Sequence, residues 1–220
     1  MRAASGTVES LKGELTMADL AVHNKGAAAS REAKLVAALK RRSIVLIGMM
    51  GAGKSSIGRR LSQRLAIPFS DADSEIEAAA GMTVPEIFEL RGEAEFRTGE
   101  ARVIARLLEG GPQVLATGGG AFMNADTRSL IRTKAVSVWL KADFDVLMKR
   151  IKRRHERPML KTPDPAATLQ MLIGQRYPFY AEADITVESR DVLHDVIVDE
   201  IVAALTGLIV DERPAAGDPS

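Results

Sequence analysis

The sequence contains no cysteine. That absence removes disulfide frameworks, cysteine-rich zinc sites and thiol nucleophiles, and it fits a reducing compartment. Charge of one sign is also lacking. Thirty Lys and Arg face 29 Asp and Glu, a formal net charge of +1, whereas general nucleic-acid binders carry a strong basic surplus. No apolar run approaches the ~20 residues of a membrane span. The opening Met-Arg-Ala-Ala-Ser-Gly is not followed by the apolar core of a secretory signal, and Glu9 and Glu14 speak against a transit peptide. A cytoplasmic protein with neither a membrane nor a nucleic-acid partner is expected. His23, His155 and His194 are too scattered to suggest a metal centre. What is present is ordinary for a globular chain, 46% hydrophobic over 220 residues, long enough for one or two domains with a substantial core.

Composition divides the chain into three parts. Residues 1–42 form an N-terminal extension rich in small residues, mobile or partly helical; Ser30 is placed to cap a short helix running to about Lys40, with Leu35, Val36 and Leu39 on one face. Residues 43–210 form one compact unit, and 211–220 read as a disordered tail. Within the unit, short apolar runs alternate with helical stripes. Strands are expected at 44–47, 67–71, 114–117, 136–140 and 185–187. Helices are expected at 54–65, from a Thr83/Glu86 capping box to about Gly92, from about Phe96 to Gly110, and at 144–154, 166–176 and 192–208. Strands alternating with helices mean an α/β fold whose parallel sheet is covered on both faces.

The strongest signal is Gly48-Met49-Met50-Gly51-Ala52-Gly53-Lys54-Ser55, which fits G-x-x-x-x-G-K-[ST] at every fixed position. An apolar strand precedes it and an amphipathic helix follows, as a phosphate-binding loop requires. Its glycines let successive backbone N–H groups turn toward phosphate oxygens, and the helix N-terminus adds roughly half a positive charge. Gly51, Ala52, Gly53, Lys54, Ser55 and Ser56 are therefore candidate ATP contacts, Lys54 reaching the β- and γ-phosphates and the Ser55 hydroxyl serving Mg²⁺. A GTPase would carry Asn-Lys-x-Asp downstream; the only Asn-Lys, Asn24-Lys25, lies upstream and continues Gly-Ala. The expected third strand ends in Thr117-Gly118-Gly119-Gly120 and not in the acid typical of a motor.

The second strand does end in acid, Asp71-Ala72-Asp73. Ligands bind beyond the carboxyl ends of such strands, and alternation in an extended segment turns both carboxylates to one side. One could hold Mg²⁺ and the other orient an acceptor hydroxyl; alternatively the pair caps a helix at 74–80. Arg97 and Arg176 suggest an acceptor site, with Glu100 three residues on to fix Arg97, although a lone arginine is as often a surface ion pair. Gly118, Gly119 and Gly120 either admit a ligand to backbone N–H groups or make a plain turn. The basic stretch from Lys149 to Arg157, leading into Pro158 and Pro163, reads as a lid over about 152–166 or as a solvated face.

Taken together these residues resemble the shikimate kinases, a branch of the nucleoside-monophosphate-kinase-like P-loop proteins. The resemblance covers about 43–205. It rests on the phosphate loop, Asp71-Ala72-Asp73 with Ile76-Glu77, Gly92-Glu93-Ala94-Glu95-Phe96-Arg97, the glycine triplet, Arg157-Pro158-Met159-Leu160 and Arg176-Tyr177-Pro178-Phe179-Tyr180, in that order. It implies a three-layer P-loop fold with a five-stranded parallel sheet in the order 2-3-1-4-5, plus a lid. It also implies transfer of the ATP γ-phosphoryl group to the 3-hydroxyl of shikimate, a step of aromatic amino-acid (chorismate) biosynthesis, by a monomeric enzyme using Mg²⁺. By the same resemblance Asp73 binds the acceptor hydroxyls and acts as base, and Arg97 and Arg176 hold the acid's carboxylate with backbone help from the triplet. Arg157 is the lid arginine that meets the phosphates, Arg150 flanks adenine, and Asp71 joins Ser55 at Mg²⁺. Met159 stands where the family has Leu. The loop around 188–192 lacks a clear signature and offers only Arg190 for the base. A kinase of another hydroxy acid such as gluconate, or a catalytically silent nucleotide-binding module, are the competing readings.

Overall fold

The computed structural model describes residues 29–152 and 163–211. Helix α1 (29–39) is followed by β1 (Ser43–Ile47), α2 (Lys54–Leu65), β2 (Phe69–Asp71), α3 (Ala72–Ala80), α4 (Val84–Glu109) and β3 (Val114–Ala116). Then come α5 (Ala125–Lys134), β4 (Ala135–Lys141), α6 (Phe144–Lys152), α7 (Pro165–Tyr180), β5 (Ile185–Glu188) and α8 (His194–Thr206). Most of the expected lid, including Arg157, lies outside the described residues.

The five strands form one parallel sheet in the order β2-β3-β1-β4-β5. Burial explains the strand sequences. Every residue of β1 and β3 is buried, and all of β4 except its last, so these three read as largely apolar runs, interrupted only by the buried Ser43 and Ser137. The edge strand β5 alternates buried and exposed. Helix α2 matches its expected span and buries Ile57, Leu61 and Leu65 on the stripe the spacing predicts. The helix expected after Ser30 also forms, with Leu35 and Leu39 fully buried in the main core. Ser30 is exposed inside it and does not cap it.

Two local expectations change, at 71–73 and at the end of α7. The segment 71–73 is not extended: α3 starts at Ala72, and the Asp71 side chain caps it by accepting from the Asp73 N–H at 3.1 Å. The two helices expected on either side of Gly92 are both there: α4 starts on the Thr83/Glu86 capping box and is two helical segments meeting at a kink at Gly92, φ 80°, ψ 170°. Helix α7 passes Arg176 and takes Pro178 into its last turn, ending at Tyr180, because the buried faces of Arg176 and Tyr180 hold that turn against the body. Helix α5 was not expected; Asn124 caps it, accepting from Thr127 N–H at 2.9 Å. A second, small core of Ile76, Ile87 and Phe96, flanked by Met82 and Phe88, joins α3 to α4 apart from the main one. Among the described residues no helix is long and apolar enough to cross a membrane.

Candidate active site

The carboxyl ends of the parallel strands open into a cleft of about 390 Å³, a volume in the ordinary range for small-molecule sites. At its centre β1 turns into α2. Gly48, Gly51 and Gly53 all have positive φ, at 139°, 83° and 94°, which a side chain would strain. A Cβ on Gly48 would also meet the Leu140 carbonyl oxygen of the neighbouring strand at 2.7 Å. No side chain caps α2, so the N–H groups of its first turn remain available to an anion. The Lys54 ammonium donates to the Gly48 and Met49 carbonyls at 2.8 and 3.0 Å, folded along the turn it would serve. Gly51, Gly53, Lys54, Ser55 and Ser56 line the cleft; Ala52 is wholly buried behind it.

Asp71 and Asp73 line the same cleft. The extended alternation argued from sequence is not what aims them. Asp71 ends the strand and Asp73 lies in the first turn of α3, so helix geometry brings both forward. The two oxygens of Asp71 divide their work: one accepts the Asp73 N–H and the other accepts the Ser55 hydroxyl at 2.5 Å. Capping and site placement thus coexist in one side chain. A hydroxyl beside a carboxylate at the foot of a phosphate-binding turn is a hard-oxygen pair that suits Mg²⁺, which prefers few protein ligands, water and substrate phosphates. Among the described residues no cluster of three or more His, Cys, Asp or Glu offers a metal a dedicated cage.

Beyond β3 the three glycines each make room for a different charged group. A Cβ on Gly118 would stand 2.4 Å from Glu100 Oε1 and 3.0 Å from Asp73 Oδ1. One on Gly119 would stand 3.1 Å from Arg176 Nη1, and one on Gly120 2.5 Å from Arg97 Cζ. The triplet is therefore a close-approach surface, which a plain turn would not need to be. Arg97 and Arg176, from different helices, converge on it from behind the cleft wall. Arg97 Nη1 donates to Glu100 at 2.8 Å and Nη2 to Glu93 at 3.0 Å, and its guanidinium stands 5.1 Å from the Phe96 ring centroid. Glu100 is buried, and burial pushes its carboxyl upward, against the pull of Arg97; Asp73 adds to the rise and Arg176 opposes it. Burial by itself would lower the Arg97 guanidinium, but Glu100 and Glu93 outweigh it and hold it above its ordinary value. One oxygen of Glu100, Oε1, has no hydrogen-bond partner although buried.

The opposite end of the cleft is built from α6 and the turn after β5. Arg150 donates to the Gly51 carbonyl at 3.3 Å, to Ser189 Oγ at 2.8 Å and to the Arg190 carbonyl at 2.7 Å. Ser189 in turn donates to the Ala52 carbonyl at 2.7 Å, so this guanidinium is locked to both walls. Asp191, Val192 and His194 complete the lining. Burial lowers the His194 imidazole, helped by Arg60 and Arg150 and opposed by Asp195. Arg190, the side chain the sequence offered here, does not line the cleft; it pairs with Glu200 on α8. The sequence reading missed Ser189, Asp191, Val192 and His194. The signal available was positional, since they follow the carboxyl end of the last strand as the other site segments follow theirs.

A family model described as shikimate kinase matches residues 50–206. The shikimate kinase of Rhodopseudomonas palustris is 66% identical over 175 residues, 80% of this chain and 86% of that protein. That of Bradyrhizobium diazoefficiens is 61% identical over 187 residues, 85% of this chain and 90% of that one. Among solved structures, the shikimate kinase from Acinetobacter baumannii in complex with shikimate superposes with a TM-score of 0.74 at 35% identity, covering 79% of this chain and 96% of the other. A family match over most of the chain and relatives this similar, on a cleft that joins the phosphate-binding turn to Asp71, Asp73, Gly118 and Gly119, show that the chain belongs to the shikimate kinase family.

Proposed function

We propose that the chain transfers the γ-phosphoryl group of ATP to the 3-hydroxyl of shikimate, giving ADP and shikimate 3-phosphate. The observation that supports this reading is one cleft lined from Lys54 and Ser55 through Asp73 to Gly118 and Gly119, with Arg176 directly behind Gly119 and Arg97 behind Gly120. The triphosphate would sit on the N–H groups of Gly51, Ala52, Gly53, Lys54, Ser55 and Ser56, with Lys54 released from its loop carbonyls to reach the β- and γ-oxygens. Arg150 would face the base. The acceptor's carboxylate would be held by the planar guanidiniums of Arg97 and Arg176 and by the backbone of Gly118, Gly119 and Gly120. Asp73 would then orient the reacting hydroxyl and receive its proton as that oxygen bonds to the γ-phosphorus and the bond to the ADP oxygen breaks. Ser55 and Asp71 are the residues that would hold Mg²⁺, whose charge would neutralise the phosphate oxygens. Arg157, outside the described residues, is assigned to the lid by family resemblance alone. By family resemblance we also propose a monomer, acting in the cytoplasm where ATP is supplied.

Purified protein with ATP and Mg²⁺ should release ADP only when shikimate is added. Turnover on gluconate but not shikimate would identify another acid as the acceptor, and ATP binding without turnover on either would leave a nucleotide-binding module.

A further inference from the structure

Four residues beyond Arg176, on the same face of α7, lies Tyr180, with no exposed surface. Its hydroxyl donates to the Gly119 carbonyl, and its oxygen accepts from the Arg176 guanidinium. Met49 Sδ of the phosphate-binding turn is 3.9 Å away. The one phenol therefore ties three parts of the cleft: the helix that carries Arg176, the glycine triplet and the turn after β1. The geometry points to Tyr180 as a positioning residue for the acid acceptor, setting the separation between the Arg176 guanidinium and the Gly119–Gly120 peptide. This rests on the reading of the triplet and its arginines as the acid's site.

Three consecutive glycines have no side chains of their own to restrain them. Pinning the Gly119 carbonyl fixes its peptide plane, and because a trans peptide sets C=O and N–H on opposite sides, it also fixes the direction of the Gly120 N–H. Burial pushes the phenol up to about 12, against the pull of Arg176, so at neutral pH the proton that Gly119 accepts is always present. The neutral oxygen adds no charge to compete with the acid for Arg176, which a carboxylate in this place would.

Tyr177 supplies an internal control. It is the only other tyrosine in the chain, also lies on α7, and donates its own hydroxyl to a backbone carbonyl, that of Ala142. It packs edge-on against Trp139 at 4.9 Å, with its ring 6.1 Å from that of Tyr180, and its hydroxyl is spent on Ala142 and not on the triplet. Steady-state kinetics on Tyr180→Phe should show KM for shikimate raised about tenfold, as expected for one lost buried hydrogen bond, with KM for ATP and kcat within about twofold. Tyr177→Phe should leave KM for shikimate at the wild-type value. In a Tyr177→Phe protein carrying ¹³C at the tyrosine Cζ, the single remaining resonance should shift on addition of shikimate; this arm holds even where Tyr180→Phe fails to fold. The proposal is overturned by an unchanged acid KM in Tyr180→Phe, by an equal rise in both KM values, by the same rise in Tyr177→Phe, or by a resonance that shikimate does not move. Wild-type protein that ignores shikimate would instead overturn the acceptor assignment on which the proposal rests.

Discussion

Asp73 and Arg97 occupy one site but should fail in different ways. Asp73 stands among groups that line the cleft beside Lys54 and Ser55, so Asp73→Asn removes a proton acceptor while leaving the phosphate turn intact. Its kcat should fall by about 10²–10⁴-fold with ATP KM nearly unchanged; a kcat close to wild type in stopped-time assays would remove Asp73 from the chemistry. Arg97 is held from below by Glu100 at 2.8 Å and contacts Gly120 from behind the wall. Arg97→Ala should chiefly raise KM for the acid, by about 10²-fold if a charge-assisted pair worth roughly 2–3 kcal/mol is lost. Initial rates across acid concentrations will decide it, an unchanged KM marking the arginine as structural. Both residues, and the Glu100 support, were legible because their neighbours in sequence form short patterns with a chemical meaning. His194 and Ser189 were not. They act through a turn whose shape is set by Arg150, 39 residues before Ser189 in the chain, and no local pattern marks such a partner.

Elements were read well where one periodicity ruled and poorly where two signals overlapped. Helix α2 came out at its exact span because apolar spacing and the phosphate motif agree on its start. The Asp71-Ala72-Asp73 segment satisfied both a strand end and a helix cap, and the helix prevailed, since Asp71 can cap only if Ala72 and Asp73 turn. The helix expected at 166–176 runs on through Pro178 to Tyr180, burial of Tyr180 outweighing one missing hydrogen bond. Gly92 is the informative break. Its φ of 80° and ψ of 170° fall in a region essentially reserved for glycine, and nothing lies within 4 Å of where a Cβ would go. The cost of Gly92→Ala is then purely conformational, about 1–3 kcal/mol, which in a chain of this size lowers Tm by about 2–4 °C per kcal/mol. Phe96 and Arg97 follow within about one turn, so the same variant should raise KM for the acid. Calorimetry and kinetics on one preparation test both; an alanine protein with wild-type Tm would mean that the break relaxes without strain.

The described residues form two cores of unequal size, a large one that takes in Met49 and Met50 of the phosphate-binding turn and a small one of Ile76, Ile87 and Phe96 between α3 and α4. Buried Glu100 sits where α4 meets the triplet, and its raised carboxyl makes stability depend on pH. The folded state holds that proton more tightly than the unfolded chain does, so the contribution is complete below the ordinary 4.5 and is lost as pH rises through the raised folded value. Glu100→Gln has no proton to lose there. Wild-type Tm, measured against the variant's, should fall as pH goes from about 4 toward 7. Parallel curves would place the carboxyl in a less desolvated setting than its 2% exposure implies.

Gly48 joins the nucleotide end to the middle of the sheet. Because any side chain there would press on the Leu140 carbonyl of β4, position 48 cannot take a side chain without parting β1 from β4. The 189–194 side of the cleft is fastened differently, by the side-chain bonds of Ser189 and Arg150. An inhibitor seated on the phosphate turn would accordingly face a target with little freedom to mutate, whereas one that leaned on Val192 or His194 should meet resistance first at those positions.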